Sequence, residues 1–367
     1  MEAKAEIFVK TAGGAYPVYV ARGALEALGG IAAQCVAGRT VRIVSDSNVA
    51  AHYLAGAADS LAAAGFRQSA SVIAPGEGSK CFAALQALWA DFHGCGLTRR
   101  DLVVALGGGV VGDLAGFAAA TYLRSVPIVQ VPTSLLAFVD SSIGGKTAID
   151  TPFGKNTVGA FHQPLAVVAD PLVLATLPPR EMAQGMAEAL KTACILDGDH
   201  FRFMEGFAGR KPTEEELTET IRFSASAKAG VVSRDEREGG LRAILNFGHT
   251  VGHAIEKVLG YGTVPHGEAV AVGMVAAAKI GVSLAVTPPD VPARIERTLR
   301  ALALPVRVAE LPGGAGACNA GALAEAMLSD KKKLGAEIHF VLLEEIGRAR
   351  VVPLAPARIA QLLPAAL

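Results

Sequence analysis

The chain has 367 residues, which at about 150 residues per domain is enough for two domains with a core each. It is 51% hydrophobic, 19% charged and 5% aromatic and contains 41 glycines, a composition that excludes a mainly disordered protein. Thirty-four basic residues balance 34 acidic ones, so the net charge gives no reason to expect a nucleic acid or an anionic membrane as partner. Any anion that binds must be held by local groups.

Cysteine usage and the apolar segments predict the compartment. The cysteines are odd in number, dispersed and without CxxC spacing, which is typical of reduced thiols in the cytosol; they are Cys35, Cys81, Cys95, Cys194 and Cys318. Residues 1–6 carry two acids and no apolar core, so they do not form a secretory signal. The uncharged apolar stretches are too short or too broken to cross a bilayer. The sequence predicts a soluble cytoplasmic protein.

The first half of the chain alternates short β-branched runs with longer amphipathic segments, which predicts βαβ units and a largely parallel sheet. Strands are predicted at residues 7–10, 17–20, 41–45, 71–73, 102–106, 128–131 and 165–168. Between the fourth and fifth of these, one helical face carries Phe82, Leu85, Trp89 and Phe92, which we interpret as core packing.

The second half has a different texture. After Pro178-Pro179 helical patterns follow one another to about residue 330, so we place a domain boundary there and expect domains at 1–178 and 179–367. Thr213 opens a capping box and predicts a helix that runs past Lys228. Residues 337–343 and 348–352 predict a late hairpin. No internal repeat is visible.

A glycine-rich segment directly follows the predicted strand 102–106. It reads Gly107-Gly108-Gly109-Val110-Val111-Gly112-Asp113 and runs into a predicted helix at 114–123, the context that a GxGxxG nucleotide motif requires. Glycines there let the backbone approach a pyrophosphate, and the helix N-terminus supplies unpaired N–H groups. An ordinary glycine turn is the competing interpretation.

Two features depart from the standard dinucleotide motif. The glycines follow about the fourth strand rather than the first, and residues 130–136, where a ribose-binding acid is expected about twenty residues on, are acid-free. Asp46 ends the predicted strand 41–45, where a carboxylate can reach a ribose in an open α/β sheet. We therefore expect the ribose to meet Asp46.

Two lysines are predicted on glycine-flanked loops near the same edge of the sheet. Lys146 stands in a GGKT sequence that resembles a P-loop, but the position of the leading glycine is Asp140, which excludes that motif. Lys155 follows Gly154 nine residues later. Taken singly, each lysine is more often a solvated surface residue than a binding group.

Three histidines fall within 18 residues and predict a metal site. His249 and His253 are four residues apart, which places both imidazoles on one helical face about 5–6 Å apart. The zincin motif is excluded because residue 250 is Thr. Histidines that cap or hydrogen-bond helices are the competing interpretation. Residue types alone leave a pool from which three ligands cannot be selected: Glu188, His249, His253, His266 and Glu268.

Six segments resemble the 3-dehydroquinate synthase family in the same order along the chain. They are GGGVVGDLAGF at 107–117, QVPTSLLAFVDSSIGGKT at 130–147, GKNTVGAFHQP at 154–164, GMAEALK at 185–191, GLRAILNFGHTVGHAIE at 240–256 and HGEA at 266–269. The resemblance covers roughly residues 40–350. It implies an α/β plus all-α chain, with a Rossmann-like N-terminal nucleotide-binding domain followed by a mainly helical metal-binding C-terminal domain. It also implies NAD, a divalent metal, either zinc or cobalt, and a homodimer.

The resemblance also implies roles for individual residues. It selects Glu188, His249 and His266 as metal ligands and leaves His253 as a substrate contact. NAD contacts are expected from Asp46, Asn48, Glu77, Lys80, Gly109, Val110, Val111, Gly112, Asp113, Thr133, Ser134, Lys146, Lys155, Val173, Leu174, Ala175 and Thr176. Substrate contacts are expected from Arg124, Asp140, Lys146, Lys155, Asn156, Lys191, Lys228, Arg242, Asn246 and one of Lys331 or Lys332.

The implied reaction converts 3-deoxy-D-arabino-heptulosonate 7-phosphate to 3-dehydroquinate and phosphate in the shikimate route to chorismate and aromatic amino acids. It is a carbon–oxygen lyase reaction that proceeds by transient NAD oxidation, phosphate elimination, re-reduction and intramolecular aldol cyclisation. Arg242 suits the substrate carboxylate because its planar guanidinium binds two oxygens. The alternatives are another sugar-phosphate cyclase, acting on sedoheptulose 7-phosphate or an amino analogue, and a metal-dependent polyol dehydrogenase that would release NADH.

Overall fold

The structure is a computed structural model that describes residues 7–331 and 337–367. Its strands confirm every strand predicted from the sequence and add a pair in the middle of the chain. They are β1 (Ile7–Thr11), β2 (Gly14–Val20), β3 (Thr40–Asp46), β4 (Arg67–Ile73), β5 (Leu102–Gly107), β6 (Ile128–Pro132), β7 (Lys146–Thr151), β8 (Gly154–Phe161), β9 (Ala166–Ala169), β10 (Ile338–Glu345) and β11 (Arg348–Leu354).

Helices separate these strands and fill most of the second half. They are α1 (Leu28–Cys35), α2 (Ser47–Ala63), α3 (Phe82–Gly94), α4 (Gly109–Thr121), α5 (Pro179–Leu196), α6 (Gly198–Glu205), α7 (Glu214–Arg234), α8 (His249–Leu259), α9 (His266–Ser283), α10 (Val291–Ala301), α11 (Gly314–Ala317), α12 (Ala320–Lys331) and α13 (Pro356–Ala366). Among the described residues, no helix is both long and apolar enough to cross a membrane.

Seven strands form one sheet in the order β1-β2-β9-β6-β5-β3-β4, parallel except for the β1–β2 pair. At its centre, β5 is buried at every residue. Leu102 and Val104 pack with α1 and α2, whereas Val103 and Ala105 pack with α3 and α4 on the other face. Helices cover both faces, which is why β5 reads as an unbroken apolar run rather than an alternating one.

The helix with the aromatic face is only partly core. In α3, Leu85 and Phe92 are buried, but Phe82 is 60% exposed. The expectation that the whole face packs in the core is therefore wrong at Phe82, which is the first residue of α3.

The described chain divides into two compact units, residues 1–182 with 214–237 and residues 183–213 with 238–367. The division falls inside α5, four residues after the boundary expected at residue 178, and α7 belongs with the first unit. Backbone and side chains attach α7 there, because Lys10 N donates to Ser233 Oγ and Ala12 N donates to Glu236 at 2.8 Å each. The two domains expected from the sequence stay a prediction.

Strands β7 and β8 form a separate antiparallel hairpin in the first unit. Placing Lys146 and Lys155 on loops is therefore wrong, since Lys146 begins β7 and Lys155 is the second residue of β8. Glycines of this segment lie within the hairpin. Gly159 faces Ala148, and a Cβ there would lie 2.1 Å from the Thr147 carbonyl oxygen.

The second unit packs helices around one apolar cluster, which includes Val251 and Ile255 of α8 and Val272 and Ile280 of α9. The predicted late hairpin is confirmed as β10 and β11, and Phe340 of β10 is buried in the same cluster. The capping-box prediction also holds, since α7 begins at Glu214 and continues beyond Lys228.

Candidate functional site

Three helices of the second unit bring a carboxylate and two imidazoles together. Glu188 lies in α5, His249 is the first residue of α8, and His266 is the first residue of α9. Glu188 Oε1 lies 3.7 Å from Nε2 of His249 and 3.6 Å from Nε2 of His266. Tetrahedral zinc ligands at about 2.0–2.2 Å from the ion stand about 3.4 Å from one another, so the two distances from Glu188 are close to the spacing that one ion requires.

Buried acceptors fix which nitrogen of each imidazole faces Glu188. Nδ1 of His249 lies 3.2 Å from the Phe247 carbonyl oxygen, and Nδ1 of His266 lies 3.2 Å from Glu256 Oε2. Both partners are acceptors, so each Nδ1 is the nitrogen that donates and each Nε2 is the nitrogen that faces Glu188, the orientation typical of metal-ligating histidines.

Glu256 is a functional candidate that the sequence analysis does not single out. It is 2% exposed and follows His249 by seven residues, two turns along the same side of α8. A glutamate at that spacing on the apolar side of a helix is the sequence signal that could have identified it.

His253 lies beside these donors but is exposed. Its ring centroid is 5.3 Å from that of His249, as the spacing of four residues predicts, and 5.8 Å from that of His266. Ligand atoms of the three histidines all lie within 4.8 Å of one another. Glu188 makes its close contacts to His249 and His266, which favours the set implied by the resemblance; the selection of three ligands stays a prediction.

The carboxylate of Glu188 is 1% exposed, and Lys191 Nζ lies 2.6 Å from Oε2. Neither oxygen of Glu188 has a hydrogen bond of good geometry within the described part of the chain. Burial, followed by the charge of Lys191 and the neighbouring imidazoles, holds the pKa of His249 well below its ordinary value, so His249 is neutral. A buried carboxylate oxygen beside two imidazole nitrogens is a donor set that fits a divalent cation.

In the first unit, most of the residues expected to contact NAD lie at or after the carboxyl ends of the parallel strands, where α/β sheets bind ligands, whereas Lys146 and Lys155 lie in the β7–β8 hairpin. Asp46 ends β3, and its Oδ1 caps α2 by accepting from the backbone N–H of Asn48 at 2.9 Å and of Val49 at 3.1 Å. Thr133 and Ser134 follow β6, and Thr133 is buried. The expected acid thus stands at this edge, with one oxygen engaged by the helix.

The glycine motif forms the junction of β5 and α4, and β5 is the fifth strand along the chain. The helix begins at Gly109, five residues earlier than predicted, and the preceding Gly108 has no side chain that could cap it. A Cβ on Gly108 would lie 3.3 Å from Ser134 Oγ. The uncapped first turn and the close backbone suit an anionic pyrophosphate.

A second segment expected to contact NAD follows β9. Val173, Leu174, Ala175 and Thr176 form a short 3₁₀ helix in which the first two are buried and the last two are exposed. The Tyr53 hydroxyl donates to the Val173 carbonyl oxygen at 2.8 Å and lies 2.6 Å from Thr176 Oγ1. Tyr53 therefore ties this segment to α2.

Two groups of expected site residues meet around lysines of the first unit. Lys80 contacts Asp113 at 2.5 Å and also Asn156, and Lys155 Nζ lies 3.7 Å from Glu77. Lys228 Nζ donates to the backbone oxygen of Asp140 at 2.5 Å and to its Oδ1 at 2.7 Å. The π-helical turn at Ala137–Ser141 sets the position of Asp140.

Arg124 and Lys146 are exposed. Arg124 has φ 64°, between Leu123 at 49° and Ser125 at 110°. Three consecutive non-glycine residues with positive φ are costly in an ordinary turn, so the surrounding structure must hold this segment in place.

The remaining residues expected to contact the substrate belong to the second unit. Arg242 is 2% exposed, and the Asn246 amide lies 3.5 Å from Glu238 Oε1; both residues belong to the short helix Leu241–Asn246. Lys332 lies outside the described residues, and Lys331 is described only as the last residue of α12. A fully buried guanidinium is a strong anion-binding group where an anion can reach it.

Two family models and many known proteins are similar to this chain. Residues 70–184 match the family model for the N-terminal part of 3-dehydroquinate synthase, and residues 185–333 match the model for its C-terminal part. The 3-dehydroquinate synthase of Bradyrhizobium sp. strain BTAi1 is 46% identical over 358 residues, which are 96% of this chain and 94% of that protein.

Solved structures agree with this similarity. A 2-deoxy-scyllo-inosose synthase complexed with carbaglucose-6-phosphate, NAD+ and Co2+ has a TM-score of 0.86 and 27% identity, covering 98% of this chain and 99% of that chain. The 2-epi-5-epi-valiolone synthase of Streptomyces hygroscopicus subsp. jinggangensis 5008, with NAD+ and Zn2+ bound, has a TM-score of 0.83 and 26% identity, covering 96% of each chain. With both family models matched and nearly the full length aligned, the chain belongs to the 3-dehydroquinate synthase family.

Proposed function

We propose that this chain converts 3-deoxy-D-arabino-heptulosonate 7-phosphate to 3-dehydroquinate and phosphate, with NAD and a divalent metal as cofactors. The observation that carries the proposal is the buried Glu188 carboxylate, which lies within 3.7 Å of the Nε2 atoms of His249 and His266. This donor set occurs in a chain that is 46% identical to a 3-dehydroquinate synthase over nearly its whole length.

Glu188, His249 and His266 hold the metal in this proposal, and the residues at the carboxyl edge of the sheet hold NAD. When bound, the metal polarises vicinal substrate oxygens as a Lewis acid and NAD+ accepts and later returns one hydride. Lys191 Nζ, 2.6 Å from Glu188 Oε2, places a cation beside that buried carboxylate. His253 is exposed beside the metal ligands, where an imidazole can hold or move a hydroxyl proton.

The cations of the chain bind the two anionic ends of the substrate. Arg242 binds the carboxylate, because its planar guanidinium matches two carboxylate oxygens. The phosphate is bound by Lys146, Lys155, Asn156 and Arg124. The three cations among these residues neutralise it as it leaves. The leaving phosphate itself takes the neighbouring proton, so these residues act by orienting the phosphate rather than as bases.

The test follows turnover of the heptulosonate phosphate by the purified protein. NAD+ is supplied in an amount far below that of the substrate. We expect many molecules of phosphate and 3-dehydroquinate for each NAD+, no accumulation of NADH, and loss of turnover on chelation that a divalent metal reverses. Product limited to the NAD+ supplied would instead indicate a dehydrogenase. Equal turnover of sedoheptulose 7-phosphate, which lacks the carboxylate, would indicate a related cyclase and would remove the role of Arg242.

We also propose that the protein is a cytoplasmic homodimer. The five cysteines are free thiols in the structure, which supports a reducing compartment. The family resemblance supports the dimer. Light scattering on the purified protein should give twice the chain mass of 37.6 kDa, and the chain mass alone would contradict the dimer.

A further inference from the structure

Lys80 is a buried lysine whose ammonium touches two parts of the first unit. It follows the short turn at Glu77–Ser79 and is 4% exposed. Its Nζ lies 2.5 Å from Asp113 Oδ2 and also donates to Asn156 Oδ1. Burial disfavours the charge, but the nearby carboxylates, Asp113 foremost, outweigh it and raise the pKa of Lys80 above its ordinary value. The ammonium is therefore charged and shared between the two partners.

The backbone of the same residue holds the turn on which Asn156 lies. Asp150 N donates to the Lys80 carbonyl oxygen at 2.8 Å, and Asp150 Oδ1 accepts from Asn156 N at 2.8 Å. Asn156 has φ 53°, a left-handed conformation that asparagine tolerates better than most residues. Lys80 thus fixes both the backbone position and the side-chain carbonyl of Asn156.

The contact also decides which way the Asn156 amide points. Its oxygen accepts from an ammonium, so its NH2 group is the part left to face a ligand, and Asn156 is exposed. An NH2 group donates to a phosphate oxygen, whereas the reversed amide would present its oxygen to that anion. The contact with Lys80 therefore selects the orientation that binds phosphate.

Asp113 connects the same ammonium to the nucleotide motif. It lies in α4, four residues after Gly109, where the helix begins. We propose that Lys80 is a positioning residue that couples NAD+ binding at the glycine motif to phosphate binding at Asn156. This inference rests on the proposed function, which assigns NAD+ to the motif and the substrate phosphate to the hairpin.

The coupling has a defined sign. NAD+ at the start of α4 restrains Asp113, Asp113 restrains the Lys80 ammonium, and the ammonium restrains the Asn156 amide. A phosphate that arrives second then meets a group already ordered, so the cost of ordering is not incurred again. NAD+ should therefore tighten phosphate binding, and phosphate must tighten NAD+ binding by the same factor.

The experiment measures the Kd of inorganic phosphate by calorimetry on the metal-loaded protein, stripped of nucleotide and then saturated with NAD+. We expect NAD+ to tighten phosphate binding by about fivefold or more, within the usual range of coupling between sites. In Lys80→Met the factor should fall to within twofold of one, and Lys80→Arg, which keeps a charged donor, should restore part of it. The Kd of NAD+ with and without phosphate must give the same factors.

Arg42→Met is the matched control. Arg42 is another largely buried cation of the first unit; it lies in β3, 2.8 Å from Asp91, and its other side-chain hydrogen bonds go to Ser69 and Ser71. It should lower the melting temperature but leave the coupling factor at the wild-type value. If Lys80→Met does not fold, Asn156→Ala removes the other end of the contact and should also abolish the factor.

A wild-type factor of one, or a wild-type factor retained in Lys80→Met and Asn156→Ala, would overturn the coupling. Turnover of the heptulosonate phosphate is measured on the same wild-type preparation. Its absence would refute the proposed function, and a normal turnover without coupling would refute only this inference.

Discussion

The two units hold the side chains of their proposed ligand sites in different ways. In the second unit, Glu188, His249 and His266 come from three helices, and the imidazoles are oriented by Phe247 O and the buried Glu256. In the first unit, the groups near the strand ends bind one another instead.

The contacts of Lys80 with Asp113 and Asn156, and of Lys228 with Asp140, show this second arrangement. Charged side chains that neutralise one another keep a polar edge stable in the absence of its ligands. A metal centre requires donors aimed at one point, whereas the cations beside an anion site can be held in place by ion pairs with neighbouring carboxylates.

The largest effect should separate the two adjacent histidines. His249→Ala removes a donor that contacts Glu188 and should weaken metal binding at least tenfold and turnover on the order of a hundredfold or more. His253→Ala should keep near-stoichiometric metal but turn over slowly. Metal content after dialysis, together with phosphate release, measures both. Equal metal loss in the two variants would make His253 a ligand.

A second prediction concerns the buried guanidinium of the second unit. Arg242→Lys keeps the charge but loses the planar pair of donors, so kcat/KM should fall about thirtyfold, or about 2 kcal/mol. Arg222→Lys is the control and should have little effect on kcat/KM. Arg222 lies in the first unit, where its Nη2 donates a hydrogen bond to the Val20 carbonyl oxygen. An unchanged kcat/KM for Arg242→Lys would remove Arg242 from the carboxylate site.

A third prediction tests whether the contact between Glu256 and Nδ1 of His266 orients that proposed metal ligand. Glu256→Gln retains an acceptor of similar shape but loses the charge that holds the Nδ1 proton of His266, so metal affinity should fall about tenfold. Competition with a chelator measures this without turnover. Glu205→Gln, which breaks an ion pair with Arg294 in the same unit, should leave metal affinity unchanged. A Glu256→Gln variant with wild-type affinity would show that His266 needs no such support.

The smallest effect compares histidines outside the metal centre. Burial lowers the pKa of His200 to about 4 and also lowers the pKa of His162 in the first unit. A histidine with a lowered folded pKa binds its proton more readily when unfolded, so stability present above pH 6.5 is lost as the pH falls toward 4. Between pH 7 and 5.5, His200→Leu should lose about 1 kcal/mol less stability than the wild type in denaturant melts. An identical pH dependence would contradict the buried neutral state of His200.

Local patterns determined much of the fold and part of the site. Apolar runs located the strands of the large sheet because strands buried on both faces require them, and the change of period after residue 178 located the helical half. The spacing of His249 and His253 predicted their ring separation, since four residues complete about one helical turn.

Contacts between residues distant in sequence were decided only by the tertiary structure. The glycines and lysines of the β7–β8 hairpin resemble a phosphate-binding segment, so the sequence predicts loops there. Only the cross-strand pairing identifies the hairpin. The support of His266 by Glu256 and the contacts of Lys80 with Asp113 and Asn156 join residues 10, 33 and 76 positions apart. Periodicity reports which face of one element is buried, but not which side chain of another element meets it, because that depends on how the elements pack.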